Sequence, residues 1–408
     1  MSGWPYNYLF WIGFAIIFYA YIGYGLLLWL LLHLKRWFIG RPSLPNSSTE
    51  CKVTFIVCAY NEEKWIAQKI ENSLQLEYPT DSIRFVVMTD GSDDQTTQIA
   101  EKTFEIDSKP TSHFVLHEPA RKGKIAAFHR AMTHFGKWDN HPASAHIIVS
   151  TDANTLLNRL AVQQLIKHFQ NPKVGAVAGE KRIKMDHVDA ASAAGEGIYW
   201  RYESTLKKWD AELWSVVGAA GELFAFRSDL YEPVPEDTIV EDFYLTTKIA
   251  MRGYRVAYEP NAYAVESSSA SVAEELKRKV RIAAGGLQAA WRLLPLINIF
   301  KYGTLSFQYI SHRLLRWTLA PLLLPLLLFL SLTLALQNSA FFQWVLVLQV
   351  LFYSMAALGW IMEQRKLKAK LFFIPYYFCL MNYAMYAGFF RLVQKKQSVI
   401  WEKSERAD

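Results

Sequence analysis

Three long stretches of this chain carry no Lys, Arg, Asp or Glu, and stretches of that kind fold as helices in an apolar medium. Met1 to Leu34 is the first, Trp317 to Met362 the second, broken only by the polar Gln337-Asn338-Ser339, and Leu371 to Phe390 the third. Each is long enough for the roughly 20 residues a helix needs to cross a bilayer. The first lacks the basic start and small-residue cleavage site of a secretory signal, so it reads as a retained anchor.

Basic flanks set an expected orientation. Lys35, Arg36 and Arg41 follow the first tract, which places the N-terminus outside and the chain from residue 35 inside. Spans at about 317 to 336 and 340 to 362 then form a hairpin that returns Arg365, Lys366, Lys368 and Lys370 to the inside. A crossing by the third tract would put Arg391, Lys395, Lys396, Lys403 and Arg406 outside, and Pro375 and Asn382 interrupt it. The segment 371 to 408 is therefore expected to lie in or re-enter the interface, with a fourth crossing as the alternative. The expected division is an anchor over 1–34, a cytosolic domain over 50–290, interfacial amphipathic helices over 291–316 and two spans over 317–362. Arg292, Lys301, Arg313 and Arg316 among bulky apolar residues support the interfacial part, a buried helix pair being the other reading.

The chain has 408 residues, of which 52% are hydrophobic, and a formal charge of +7. That charge suits anionic lipid headgroups and an acidic substrate. No nucleic-acid-binding motif is present. Cys51, Cys58 and Cys379 have no paired spacing and read as reduced thiols.

Between Cys51 and about Ser271 the pattern changes. "KVTFIVCAY", "IRFVVMTD", "HFVLHE" and "HIIVSTD" are short runs rich in Val, Ile and Phe, each followed by a helix-compatible stretch. Alternation of this kind predicts an α/β, Rossmann-like sheet of parallel strands with crossover helices. Ligands bind beyond the carboxyl ends of such strands, where Tyr60-Asn61-Glu62, Asp90-Gly91-Ser92 and Asp152-Ala153-Asn154 stand. Neither GxGxxG nor GxxxxGK[ST] occurs.

Each polar cluster also has a plainer reading. Asp90 to Asp94 can cap a helix, and Asp152 can be a loop residue. Arg121, Lys122 and Lys124 precede the helical "KIAAFHRAM", where the helix dipole disfavours cations; they fit there if an anion binds at that end, or as solvated surface charge. Thr238 and Glu241 have capping-box spacing. Asp242, near the start of the same helix, is expected to stay ionised and to serve as a general base toward a hydroxyl.

The succession "CAYNE", "DGSDD", "KGK", "TDAN", "GAAGELFAFR", "VED" and "RKVRI", flanked by apolar spans, resembles the membrane-bound family 2 glycosyltransferases, among them hyaluronan, chitin-oligosaccharide, cellulose and poly-N-acetylglucosamine synthases. The resemblance covers about residues 50 to 290. It implies a GT-A fold and an integral protein of the plasma (inner) membrane with a cytoplasmic catalytic domain. Ala59, Tyr60, Asn61 and Glu62 match the loop around the nucleotide, Asp90 the residue that bonds the base, and Lys122 or Lys124 a diphosphate contact. Asp152 and Asn154 match the metal-binding DxD element, implying Mg²⁺ or Mn²⁺, and Asp242 matches the base of an inverting displacement. Gly221, Glu222, Glu241, Arg278, Trp401 and Arg406 fall on the acceptor and gating side, and Arg281 meets the diphosphate.

Two positions depart from the family pattern. Asn154 replaces the second DxD acid, and Arg278-Lys279-Val280-Arg281-Ile282 stands where the family has QxxRW, so a flat tryptophan face for the acceptor sugar is missing. The expected activity is transfer from a nucleotide sugar, a UDP-sugar first, to a growing β-linked polysaccharide or oligosaccharide; the alternative is one sugar added to a membrane lipid, as in ceramide glucosyltransferase-like relatives. The few spans make a homo-oligomer or a small membrane partner an expectation as well.

Overall fold

The computed structural model describes residues 4–40, 51–106, 112–139, 141–142, 145–184, 190–267, 271–365, 367 and 370–394. Trp401 and Arg406 lie outside the described residues. The chain divides into two compact units. One comprises Met1–Leu34, Met185–Leu206 and Ser269–Gln397, the other Lys35–Lys184, Lys207–Ser268 and Ser398–Asp408.

The first unit is helical. It begins with α1 (Trp4–Phe18), a π-turn at Tyr19–Gly23 and α2 (Tyr24–Ile39), whose last residues pass into the second unit. Together Pro5–Phe38 is long and apolar enough to cross a membrane, as is Ala340–Gln364. A third candidate is bent: Thr304–Trp317 and Leu319–Ala335 meet at 52°. Pro321 accounts for the break, because it has no N–H to give the carbonyl of Trp317 one turn earlier. Phe10, Leu327, Leu330, Leu334 and Phe342 form one apolar cluster of this unit.

The second unit is built on one mixed sheet of eight strands in the order β3-β2-β1-β4-β7-β6-β8-β5. These are β1 (Lys52–Ala59), β2 (Ile83–Asp90), β3 (His113–Glu118), β4 (His146–Asp152), β5 (Thr155–Leu157), β6 (Val174–Lys184), β7 (Leu223–Arg227) and β8 (Arg255–Ser267). The first four pair in parallel, as the alternating pattern predicts, while β7 runs antiparallel to both β4 and β6. Helices α3 (Ile66–Leu74), α4 (Thr96–Glu105) and α6 (Ala161–Ile166) cover one face through Ile66, Ile70, Ala100, Phe104 and Leu165. Helix α5 (Lys124–Phe135) covers the other with Ile125, Phe128 and Ala131, all buried. Strands buried on both faces need continuous rather than alternating apolar runs, which is why β1, β2 and β4 read as they do.

Two further helices carry residues that the motif order singled out. After α7 (Ala190–Leu213) comes α8 (Glu241–Met251), in the second unit, and α9 (Val272–Arg292) follows in the first. Ser271 caps α9 by accepting from the Glu274 N–H. The last helix, α12 (Lys370–Val393), packs against α9, where Gly388 leaves no room for a Cβ, 2.7 Å from the Ala284 nitrogen; α10 (Leu319–Ala335) and α11 (Ala340–Gln364) precede it.

Candidate active site

Four segments meet at the carboxyl ends of β1, β2 and β4. After β1 the chain enters a left-handed residue, Asn61, with φ 52°. Its side-chain amide donates to Asp93 Oδ1 at 2.5 Å and accepts from the Asp93 N–H at 3.1 Å, tying the loop after β1 to the loop after β2. The N–H of Glu62 donates to Thr96 Oγ1 at 2.7 Å, a second tie between the two loops. Ala59 and Glu62 are buried, whereas Tyr60 presents its ring to the Arg121 guanidinium, 3.5 Å from the ring centroid. Among the nucleotide-contacting candidates, this flat pair is a surface a planar base can stack on.

Asp90 closes β2 and is buried. Its carboxylate accepts the backbone N–H groups of Lys122 (3.0 Å) and Gly123 (2.6 Å) and an N–H of Arg130 (2.7 Å). It thus shapes the turn that begins α5. Gly91 permits that turn to approach: at φ +64°, a Cβ there would lie 2.5 Å from the Arg121 nitrogen. Lys122 reaches outward to Glu118 at 3.3 Å.

Lys124, the first residue of α5, is largely enclosed, with its Nζ 2.8 Å from Asp152 Oδ1 and 2.8 Å from Glu241 Oε1. Burial opposes its charge, but the two carboxylates overcome this and hold its pKa well above the usual lysine range. This explains a cation at a helix start, where the dipole alone disfavours it. One ammonium serves two acids. Burial raises the Asp152 pKa, and the nearby Glu222 and Glu241 add to that rise against the pull of Lys124.

Helix α8 brings Glu241 and Asp242. Val240, not Thr238, stands at its cap, and Glu241 is engaged with Lys124, so the capping-box reading of Glu241 does not hold. The expectation that the helix start keeps Asp242 ionised is also corrected. Burial, reinforced by the adjacent Glu241, outweighs the Lys124 charge and the Phe243 N–H and pushes its pKa up to about 7.

The "GAAGE" stretch lies along the same helix. Gly218 has φ +79°, and a Cβ there would strike the Phe243 ring. The Ala219 N–H donates to Thr246 Oγ1, which itself donates to the Asp242 carbonyl. At Gly221 a Cβ would lie 3.3 Å from Asp242 Oδ2 and 3.4 Å from Lys124 Nζ. Asp152, Lys124, Glu241 and Asp242 therefore converge about Gly221. Glu222 follows it and accepts from Lys181 at 2.6 Å; Lys181 also bonds Glu266.

Asn154 sits half-buried in the short turn between β4 and β5. Arg278 and Arg281 lie on α9 in the first unit, and Arg278 makes a paired contact with Glu275 at 2.9 and 3.0 Å. Two residues escaped sequence reasoning. Lys69 is fully buried and donates to Thr151 Oγ1 (2.9 Å) and the Thr155 carbonyl (2.8 Å), bracing the end of β4. The helical spacing of Ile66, Lys69, Ile70 and Ser73 was a signal for it. Lys181 is likewise buried, on β6, where it pairs with Glu222 and Glu266.

Among the described residues, no three His, Cys, Asp or Glu side chains converge as a closed metal cage. Asp152 and Glu241 nevertheless aim their oxygens at one positively charged atom. Oxygen donors of this kind fit a hard cation that takes its remaining ligands from a bound polyanion.

The family model described as glycosyltransferase like family 2 matches residues 51–285. The poly-β-1,6-N-acetyl-D-glucosamine synthase of Staphylococcus aureus strain COL is 27% identical over 248 residues, 59% of this chain and 56% of that protein. The synthase of the same name from Staphylococcus epidermidis is 26% identical over 247 residues, with the same shares. The chain thus matches little more than half the length of these relatives. Among solved structures, the mannosyltransferase PcManGT of Pyrobaculum calidifontis, in complex with GDP-mannose and Mn²⁺, aligns with a TM-score of 0.68 at 24% identity, covering 95% of this chain and 100% of that one. At this identity the likeness is one of fold, the GT-A fold that the motif order implied.

Proposed function

This chain belongs to glycosyltransferase family 2, and from that premise we propose that it is a metal-dependent, inverting enzyme that moves a sugar from a nucleotide sugar, a UDP-sugar first, onto a growing β-linked polysaccharide or oligosaccharide at the cytoplasmic face of a membrane. One observation carries the reading: a carboxylate with a pKa near 7, Asp242, stands beside the Lys124, Asp152 and Glu241 cluster at the ends of the sheet strands.

In this reading the Tyr60 and Arg121 pair stacks the base, and Asp90 acts by shaping the turn of Lys122 and Gly123. Asp152, with Asn154 nearby, holds Mg²⁺ or Mn²⁺. The bound cation supplies charge neutralisation for the departing nucleoside diphosphate. Lys122 and Lys124 meet the diphosphate, a role the motif order alone extends to Arg281, and the N–H groups at the start of α5 favour anionic oxygen. Asp242 accepts the proton of the acceptor hydroxyl as its oxygen attacks the anomeric carbon and the carbon–oxygen bond to the diphosphate breaks on the opposite side. A base titrating near 7 is matched to that work at neutral pH. Gly221, Glu222 and Glu241 border the acceptor, while Trp401 and Arg406 are retained as a gating segment.

A second reading, transfer of a single sugar to a membrane lipid, is favoured by α9. Arg278 and Lys279 both pair with Glu275 there, and Ile282 replaces the tryptophan face that would support an acceptor sugar. Among the described residues, the spans that pass by length and composition number two, or three with the bent pair. A second subunit or small membrane partner would complete a conduit for a polymer.

Incubating the detergent-solubilised protein with UDP- and GDP-sugars, with and without Mg²⁺ or Mn²⁺, tests the proposal by nucleotide release and product mass. A ladder of added sugars supports polymerisation, a single increment on a lipid supports the second reading, and no release with any donor removes both.

A further inference from the structure

We propose that Lys124 is a resident cation that makes metal binding at Asp152 conditional on a bound diphosphate. The inference rests on the reading above, in which Asp152 binds the cation; it adds the order and coupling of binding.

The argument begins with where the ammonium sits. Lys124 Nζ lies 2.8 Å from both Asp152 Oδ1 and Glu241 Oε1, at the place where those carboxylates would direct a divalent cation. Its side chain is only 11% exposed. Two positive groups repel at that range, so a metal taking Asp152 Oδ1 would displace Lys124 from it. With nothing else bound, the largely buried ammonium would lose its Asp152 contact and stand close to a second positive charge, with Glu241 as its remaining ion pair, a costly state. A diphosphate removes that obstacle. Its oxygens offer Lys124 a new anionic partner within reach of the same helix start, and they complete the ligands that Asp152 alone cannot supply.

Space at the site is consistent with such a hand-over. Gly221 faces both Lys124 Nζ and Asp242 Oδ2 without a side chain, at 3.4 and 3.3 Å from where its Cβ would be. Glu222, beyond it, pairs with Lys181 at 2.6 Å. The result is linkage between two ligands: diphosphate raises metal affinity, and metal must raise diphosphate affinity by the same factor. Free metal is excluded from an acidic pocket that would otherwise collect it, and Lys124 holds Asp152 and Glu241 together until donor arrives.

The test follows Mn²⁺ by the electron paramagnetic resonance signal of the free ion, using full-length protein in detergent, with UDP and separately GDP as the diphosphate probe. Wild type is expected to bind Mn²⁺ about 100-fold more tightly with one of these nucleotides than without. Lys124→Met is expected to bind Mn²⁺ alone about 10-fold more tightly than wild type and to lose most of the coupling. Lys124→Gln, uncharged but able to donate hydrogen bonds, is the second variant should the first fail to melt cooperatively. Lys124→Arg keeps the charge and the coupling. Equal Mn²⁺ affinity with and without nucleotide in wild type, or no gain in a folded uncharged variant, overturns the inference and leaves the metal reading standing. Absence of Mn²⁺ binding to wild type under every condition overturns the metal reading and the inference together.

Discussion

Asp242 follows Glu241 directly at the start of α8; Glu241 pairs with Lys124 at 2.8 Å, while burial and its acidic neighbour push Asp242 up to about 7 against the pull of that same lysine. Adjacent acids thus hold different tasks: one neutralises a largely enclosed cation and the other is left able to take a proton.

The first prediction concerns that proton. Asp242→Asn should lower kcat by about a thousandfold or more while nucleotide affinity stays within about threefold. In the wild type, kcat should climb with pH along a limb centred near 7, because only the ionised carboxylate accepts the hydroxyl proton. A flat profile between pH 5.5 and 8 would assign the base elsewhere.

The same group predicts a stability effect of opposite sign. Its folded pKa lies above the unfolded one, so the folded state binds this proton more tightly. The contribution to stability is present below the unfolded pKa and lost as pH rises through about 7. Asp242→Asn removes a buried negative charge beside Glu241 and should raise the melting temperature at pH 8, by about 2 kcal/mol in stability, with little gain at pH 4. Differential scanning at the two pH values decides it.

Tyr60 and Arg121 predict how the donor is held. Tyr60→Ala removes the stacking face and should weaken nucleotide binding by about 1–2 kcal/mol, roughly tenfold, with a smaller change in kcat. Calorimetric titration with the nucleotide checks it; unchanged affinity would place the base away from this pair.

Gly91 tests the turn. Adding a methyl in Gly91→Ala brings Cβ to 2.5 Å from the Arg121 backbone at a φ of +64°, which an L side chain rarely adopts. The expected cost is about 2 kcal/mol or more, with nucleotide binding lost alongside stability because Lys122 and Gly123 shift with the turn. A variant with unchanged melting would mean the turn relaxes freely.

In the helical unit, Glu203 is buried against His312 (3.2 Å), Arg313 (3.2 Å) and Arg316 (2.5 Å). Glu203→Gln removes the buried carboxylate charge that Arg313 and Arg316 share and should cost about 3 kcal/mol or more. A lower melting temperature in detergent, with donor binding unchanged in the protein still folded, is the expected result.

Much of this was legible in the residues themselves. Apolar runs of β1, β2 and β4, the helical spacing after each, and the charge-free tracts at either end follow from burial and backbone geometry acting over a few residues, and they sufficed for the α/β domain and the candidate spans. The order of short motifs then located Asp90, Asp152 and Asp242 at strand ends and a helix start. What no local pattern carried was the partner each one meets. Lys124 lies 28 residues from Asp152 in the chain and much farther from Glu241, and only the folded sheet joins the three. Likewise, helix position alone argued for an ionised Asp242, whereas the depth of its burial argues the other way. Local sequence determines which backbone segments are regular, because those interactions are short in range; charge state and pairing depend on the dielectric and on distant segments brought together, and these exist only once the chain has folded.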